Sequence, residues 1–180
     1  MAKILLGVTG SIAAYKAAEL ARLFVRAGHE VKAVMTPSAV KFVTPLTFMT
    51  LTKNPVGVDE FALPEEWKPG HISLAEWADL VVVAPASANT LAKMRYGLAD
   101  NYLTSVLLAT KAPILAAPAM NTGMWENPAT QENLKVLAAR GVKIVEPDEG
   151  ELACGTSGKG RMSEPEAVFA AAEKLLKGAQ

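Results

Sequence analysis

Three side chains have types and settings that could do chemistry. Cys154 is the only cysteine in the 180 residues, and it stands among Gly150, Gly155, Gly158 and Gly160. A lone thiol in an apolar core is inert, but here Lys159 and Arg161 are close in sequence, and cations favour a reactive thiolate. Asn121 lies in Pro118-Ala119-Met120-Asn121-Thr122-Gly123-Met124-Trp125. Its amide could donate to a carboxylate without adding charge, or it could be a turn residue packed under Trp125. His71, in Gly70-His71-Ile72, could act as a base near neutral pH or serve as a loop or capping residue. His29, in Gly28-His29-Glu30, reads as structural. One cysteine and two histidines leave too few ligands for a zinc site.

A second group of residues could hold a ligand. In Gly7-Val8-Thr9-Gly10-Ser11-Ile12-Ala13-Ala14, a glycine turn leads from an apolar run into a helical pattern. Backbone N–H groups and the helix dipole would favour a phosphate there. The spacing is neither the dinucleotide fingerprint nor a P-loop, and an ordinary strand–helix turn would look the same. Ser38, with Phe42 beyond it, follows the next apolar run and could add a phosphate contact, cap a helix, or do both. No acidic residue ends that run to grip an adenosine ribose, which weakens a nicotinamide dinucleotide reading. In Pro85-Ala86-Ser87-Ala88-Asn89-Thr90 small residues would let a flat ring approach the backbone. Helix capping by Ser87 or Asn89 is the alternative.

The elements that must position these groups are legible as periodicity. Unbroken apolar runs at Lys3–Val8, Val31–Met35, Leu80–Ala84, Pro113–Ala117 and Val142–Val145 have the pattern of parallel strands buried on both faces. Helical patterns fall at Ile12–Ala27 (stopped by Gly28), Thr44–Thr52, Asn89–Met94, Asp100–Thr110, Thr130–Arg140 and Glu164–Leu176. This alternation predicts an α/β fold: three layers, Rossmann-like or flavodoxin-like, around a central parallel sheet. One domain over 1–180 is expected. Val56–Gly70 and Glu146–Ser163 read as long loops, the second as a flap at about 147–163.

Bulk composition narrows the partners. Eighteen basic and eighteen acidic residues balance, so no uniform field recruits nucleic acid or an anionic membrane. No stretch approaches the ~20 apolar residues of a membrane span. A single thiol fits a reducing compartment, so a cytoplasmic setting is expected, with small molecules or further copies of the chain as partners.

Taken in order, Gly10-Ser11-Ile12-Ala13, Gly70-His71-Ile72, Pro85 through Thr90, Ala99-Asp100-Asn101, Pro118 through Trp125, and Ala153-Cys154-Gly155 through Met162 resemble the homo-oligomeric flavin-containing cysteine decarboxylases. The resemblance covers nearly the whole chain. Its departure is Met94-Arg95-Tyr96-Gly97, where relatives carry smaller residues.

The resemblance implies FMN, its phosphate near Gly10, Ser11, Ile12 and Ser38. The ring would lie against Phe42 and the segment Ser87, Ala88, Asn89 and Thr90, with Asp100 nearby. It implies decarboxylation of 4'-phosphopantothenoylcysteine to 4'-phosphopantetheine in coenzyme A biosynthesis, by oxidation to a thioaldehyde, loss of CO2 to an enethiol, and reduction. His71 would be base or orienter, Asn121 would hold the departing carboxylate between Met120 and Met124, and Cys154 would be the final acid. A homotrimer or dodecamer is implied, with His71 and Asn121 of one site drawn from different subunits, and a fused or separate phosphopantothenate–cysteine ligase. A peptidyl-cysteine decarboxylase would stop at the enethiol and need no Cys154. A flavin prenyltransferase would not need Asn121 paired with Cys154. A non-catalytic FMN-binding subunit would not need the His71, Asn121 and Cys154 set.

Overall fold

The computed structural model of the chain describes residues 1–62, 70–151, 153, 155 and 157–178. Strands β1 (Lys3–Val8), β2 (Glu30–Met35), β3 (Val56–Gly57), β4 (Leu80–Ala86), β5 (Ile114–Pro118) and β6 (Lys143–Ile144) form one parallel sheet in the order β3-β2-β1-β4-β5-β6. Without the two-residue edge strand β3, five strands remain in the flavodoxin-like order, as the sequence pattern predicts.

Alternate residues of each strand point to opposite faces, and each face has its own core. Ile4, Leu6, Val8, Leu80, Val82 and Ala84 pack with Phe24, Leu20 and Val168, on helices α1 (Ala14–Arg26) and α8 (Pro165–Gly178). Leu5, Val81, Val83 and Ala116 pack with Leu91, Leu103 and Leu134, on α4 (Ala88–Tyr96), α5 (Tyr102–Ala109) and α7 (Pro128–Ala139). Burial on both faces explains why the strands read as continuous apolar runs. Helix α1 stops where expected: Gly28 takes φ +84° and His29 N–H returns to the Phe24 carbonyl.

Two expected loops contain structure. Val56–Gly70 begins with β3, which extends the sheet. Within Glu146–Ser163, β7 (Asp148–Glu151) and β8 (Ser157–Arg161) pair as an antiparallel hairpin. Glycine-rich polar strands carry no apolar alternation, so periodicity could not reveal them. Helices α2 (Pro45–Thr52), α3 (Gly70–Trp77) and α6 (Thr122–Glu126) complete the chain. The last two are short and were absent from the sequence pattern.

The sheet reverses its direction of winding between β1 and β4, and one buried hydroxyl bridges their carboxyl ends there. Thr9 Oγ1 donates to the Pro85 carbonyl at 2.7 Å and accepts from Ser87 N–H at 2.9 Å. Replacement by the isosteric valine would orphan both backbone groups at a cost of about 1–3 kcal/mol each. Thr9→Val is therefore expected to lower the unfolding free energy by roughly 2–6 kcal/mol, read from the urea midpoint at unchanged slope.

Candidate active site

Two adjoining cavities open along the carboxyl edge of the sheet. One, of about 450 Å³, is lined by Gly10, Ser11, Thr36, Ser38, the Ser87–Thr90 segment, Lys93, Asp100, Asn101 and Met124. The other, of about 740 Å³, is lined by Ile12, Tyr15, Lys16, Asn121, Glu151 and Gly160 through Met162. Ser11, Ala119 and Met120 belong to both walls, so a ligand in one can meet a ligand in the other across Met120.

The first cavity is lined by small residues and by groups that can donate hydrogen bonds. Gly10 lies against Ser38 so closely that a Cβ there would come within 2.5 Å of the Ser38 Cβ. The following turn carries no side-chain cap at Ala13. Ser11 Oγ accepts from Ala13 N–H, and the Ser11 and Ile12 N–H groups have no acceptor among the described residues. Ser38 does not cap the 3-10 turn that follows it; Thr36 Oγ1 accepts from Ala39 N–H instead. Ser38 thus faces the cavity without a capping duty. On the opposite wall Ser87 caps α4 by accepting from Thr90 N–H, the alternative open at the sequence level, while the exposed Asn89 lines the cavity.

Asp100 stands at the rim. Lys93 donates to both its carboxylate oxygens, at 2.8 and 2.6 Å, and that hydrogen bond holds its pKa below the ordinary carboxylate value. The helix cap beside it is Asn101, in a capping box with Thr104. Lys93, absent from the sequence-level set, places a cation on this wall. Phe42 lines neither cavity and lies half exposed.

Asn121 enters the second cavity from the turn between β5 and α6. Its Oδ1 accepts from Gly123 N–H at 2.8 Å, capping α6. The amide nitrogen is the donor that a carboxylate would need. Trp125 is buried behind it, so the turn role and the placed amide coexist. Met120 lines both cavities and Met124 the first. His71 sits in the first turn of α3 and lines neither cavity. Cys154 lies outside the described residues, though its neighbours Ala153 and Gly155 line the Asn121 cavity.

The hairpin is fastened to the Asn121 turn. Met120 N–H donates to the Gly160 carbonyl at 2.9 Å. Gly160 takes φ +146°, and a Cβ there would strike the Met120 carbonyl oxygen. Below the hairpin, the buried Lys16 donates to the Met162 carbonyl at 2.9 Å and to Glu164 at 3.1 Å, and Arg161 also bonds Glu164. The Lys16 hydrogen bond, with help from Arg161, holds the Glu164 carboxyl below its usual pKa. Lys16 was findable in the sequence as a charge on the apolar stripe of α1, between Ala13 and Leu20. Thr9 carried no such signal, because its partners are residues 85 and 87.

Comparison with known proteins places this architecture. The Flavoprotein family model matches residues 1–177. The chain belongs to the Flavoprotein family. It is 48% identical over 168 residues to the coenzyme A biosynthesis bifunctional protein CoaBC of Haemophilus influenzae, covering 93% of this chain and 42% of that protein. The chain thus spans less than half the length of that curated relative. It is 46% identical over 176 residues to a probable phosphopantothenoylcysteine decarboxylase of Streptococcus mutans, covering 97% of this chain and 98% of that protein. Among solved structures, a cysteine-to-serine mutant of a PPC decarboxylase complexed with pantothenoylaminoethenethiol superposes with a TM-score of 0.88 at 36% identity, covering 98% of each chain. The FMN-binding protein AtHal3 superposes with a TM-score of 0.85 at 36% identity, covering 99% of this chain and 98% of that one.

The contact between the hairpin and the Asn121 turn can be tested through Gly160. Gly160→Ala is expected to part β8 from Met120 and lower the protection of the Met120 amide against hydrogen exchange about tenfold. Undiminished protection would mean that the contact is incidental.

Proposed function

We propose that this chain is an FMN-dependent decarboxylase that converts 4'-phosphopantothenoylcysteine to 4'-phosphopantetheine in coenzyme A biosynthesis. The observation that carries the reading is the pair of cavities sharing Ser11, Ala119 and Met120. One suits a flat group with an anionic end; the other presents the Asn121 donor. The end-to-end similarity to the Streptococcus mutans protein supports the substrate, and the likeness to AtHal3 supports the cofactor.

The residues present fit FMN. The turn at Gly10, whose lack of a Cβ lets it approach Ser38 closely, together with the N–H groups of Ser11 and Ile12 and the Ser38 hydroxyl, would take the phosphate. Ser87, Ala88, Asn89 and Thr90 would border the ring, with Asp100 held at the rim by Lys93. When bound, FMN would supply the two-electron exchange that lets the substrate's sulfur-bearing carbon accept the electrons left by CO2. Asn121 would orient the carboxylate through its amide N–H groups, its oxygen being tied to Gly123. Met120 and Met124 would exclude water from the reacting carbon. Cys154, outside the described residues, would deliver a proton to the product carbon, with Lys159 and Arg161 close in sequence as candidate cations. His71 would take a proton from the substrate or orient it, from a neighbouring subunit.

The reading carries a homotrimer or dodecamer, a fused or separate phosphopantothenate–cysteine ligase, and a cytoplasmic setting. Exposed Phe42, Leu46 and Met49 offer the kind of apolar surface that assembly covers. The likeness to a bifunctional protein supports the ligase partner.

The direct test is a flavin absorbance spectrum of the purified protein followed by product mass after incubation with phosphopantothenoylcysteine. Loss of CO2 alone is expected; an absent flavin spectrum after reconstitution would sink the reading. Cys154→Ser is expected to release CO2 yet accumulate a product two hydrogens lighter than phosphopantetheine. Formation of the saturated thiol at the normal rate would remove Cys154 from the proton-delivery step.

Composite sites make a further prediction. His71→Ala and Asn121→Asp are each expected to be inactive. Subunit exchange between them should restore about a quarter of the activity, since one site in four pairs an intact His71 with an intact Asn121. No recovery after verified exchange would place both residues in one subunit's site.

A further inference from the structure

The cavity that Asn121 enters carries more positive charge than a neutral amide's task requires. Lys16 is only 7% exposed, and its ammonium reaches the Met162 carbonyl and Glu164. The Arg161 side chain, 44% exposed, shares that same Glu164. Two cations therefore divide one carboxylate, and that carboxylate is itself half exposed. Of the cavity's described wall residues, only Glu151 is acidic. The start of α1, which has no acidic residue in its first turn, borders the same space through Ile12 and Ala13. The wall is thus short of negative charge.

We propose that Lys16 and Arg161 form the subsite for the phosphoryl group of the substrate. This rests on the decarboxylase reading above. That substrate carries two anionic groups with opposite needs. Its carboxylate must lose its charge as CO2 departs, so a cation there would stabilise the starting state and oppose reaction. The neutral Asn121 amide suits it. The phosphoryl group keeps its charge throughout, so cations add binding without taxing the chemistry. Arginine's planar fork also matches phosphate oxygens, and a buried lysine adds a fixed point charge.

The frame holds the two ends together. Arg161 follows Gly160, whose carbonyl accepts the Met120 N–H beside Asn121. Glu164 is the exposed partner that a phosphoryl group would displace or share. Its carboxyl is held below the usual pKa by Lys16, so it occupies the cations as an anion at neutral pH.

The test compares the FMN-loaded enzyme on phosphopantothenoylcysteine and on pantothenoylcysteine, which lacks the phosphoryl group. The unsubstituted enzyme is expected to prefer the phosphorylated substrate in kcat/KM. Arg161→Gln, at a half-exposed position that folding tolerates, is expected to reduce that preference roughly tenfold or more. The loss should fall mainly in KM for the phosphorylated substrate, and Arg161→Lys should recover part of it. Lys16→Met is expected to act in the same sense. An unchanged preference in Arg161→Gln would overturn the proposal, even if both substrates reacted more slowly. An equal loss on both substrates would assign the cations to the scaffold or the carboxylate instead. Turnover of neither substrate by the unsubstituted enzyme would overturn the decarboxylase reading, and this proposal with it.

Discussion

The hydroxyl of Thr9 joins what the rest of the site depends on. It is fully buried and, from the end of β1, bonds the Pro85 carbonyl and the Ser87 N–H at the end of β4. Without it the Gly10 turn and the Ser87 cap would each be set by its own strand. With it, the two walls of the first cavity share one frame. A hydroxyl can satisfy a donor and an acceptor at once, which no apolar residue of that size can do.

A second frame is built on the first. Ala119 N–H donates to the Ala86 carbonyl, and Met120 N–H to Gly160. The turn that carries Asn121 is therefore held on one side by β4 and on the other by the hairpin. The hairpin in turn is tied to α1 through Lys16 and Glu164. The Asn121 turn, the hairpin and α1 are thus linked to one another and to the end of β4.

Much of the fold was readable because burial on both faces leaves a plain mark. Val81, Val82 and Val83 belong to alternating cores, so no polar residue interrupts them. Gly28 announced the end of α1 because left-handed backbone favours glycine. The hairpin was invisible for the opposite reason: Asp148–Glu151 and Ser157–Arg161 are polar throughout and are held by backbone pairing. Residues 56 and 57 looked like loop because two residues carry no period. In the site, Ser38 and Asn121 were legible as polar groups at strand ends, but capping and ligand-facing roles could not be separated. Thr36 took the cap that Ser38 was suited to fill, whereas Asn121 caps α6 and also lines the second cavity.

The sequence by itself determined the parallel sheet, its helical cover, the glycine turn that opens onto α1, and the order of the motifs that mark the family. These follow from local periodicity, from backbone sterics and from residue types at strand ends, all of which are written in neighbouring positions. Only the tertiary structure decided that Thr9 ties residues 85 and 87, that Lys93 grips Asp100 at a cavity rim, that Lys16 is buried beneath the hairpin, and that His71 lines neither cavity. Each depends on which strand lies beside which and how far a side chain reaches. Distance in space between residues far apart in the chain has no counterpart in composition or spacing.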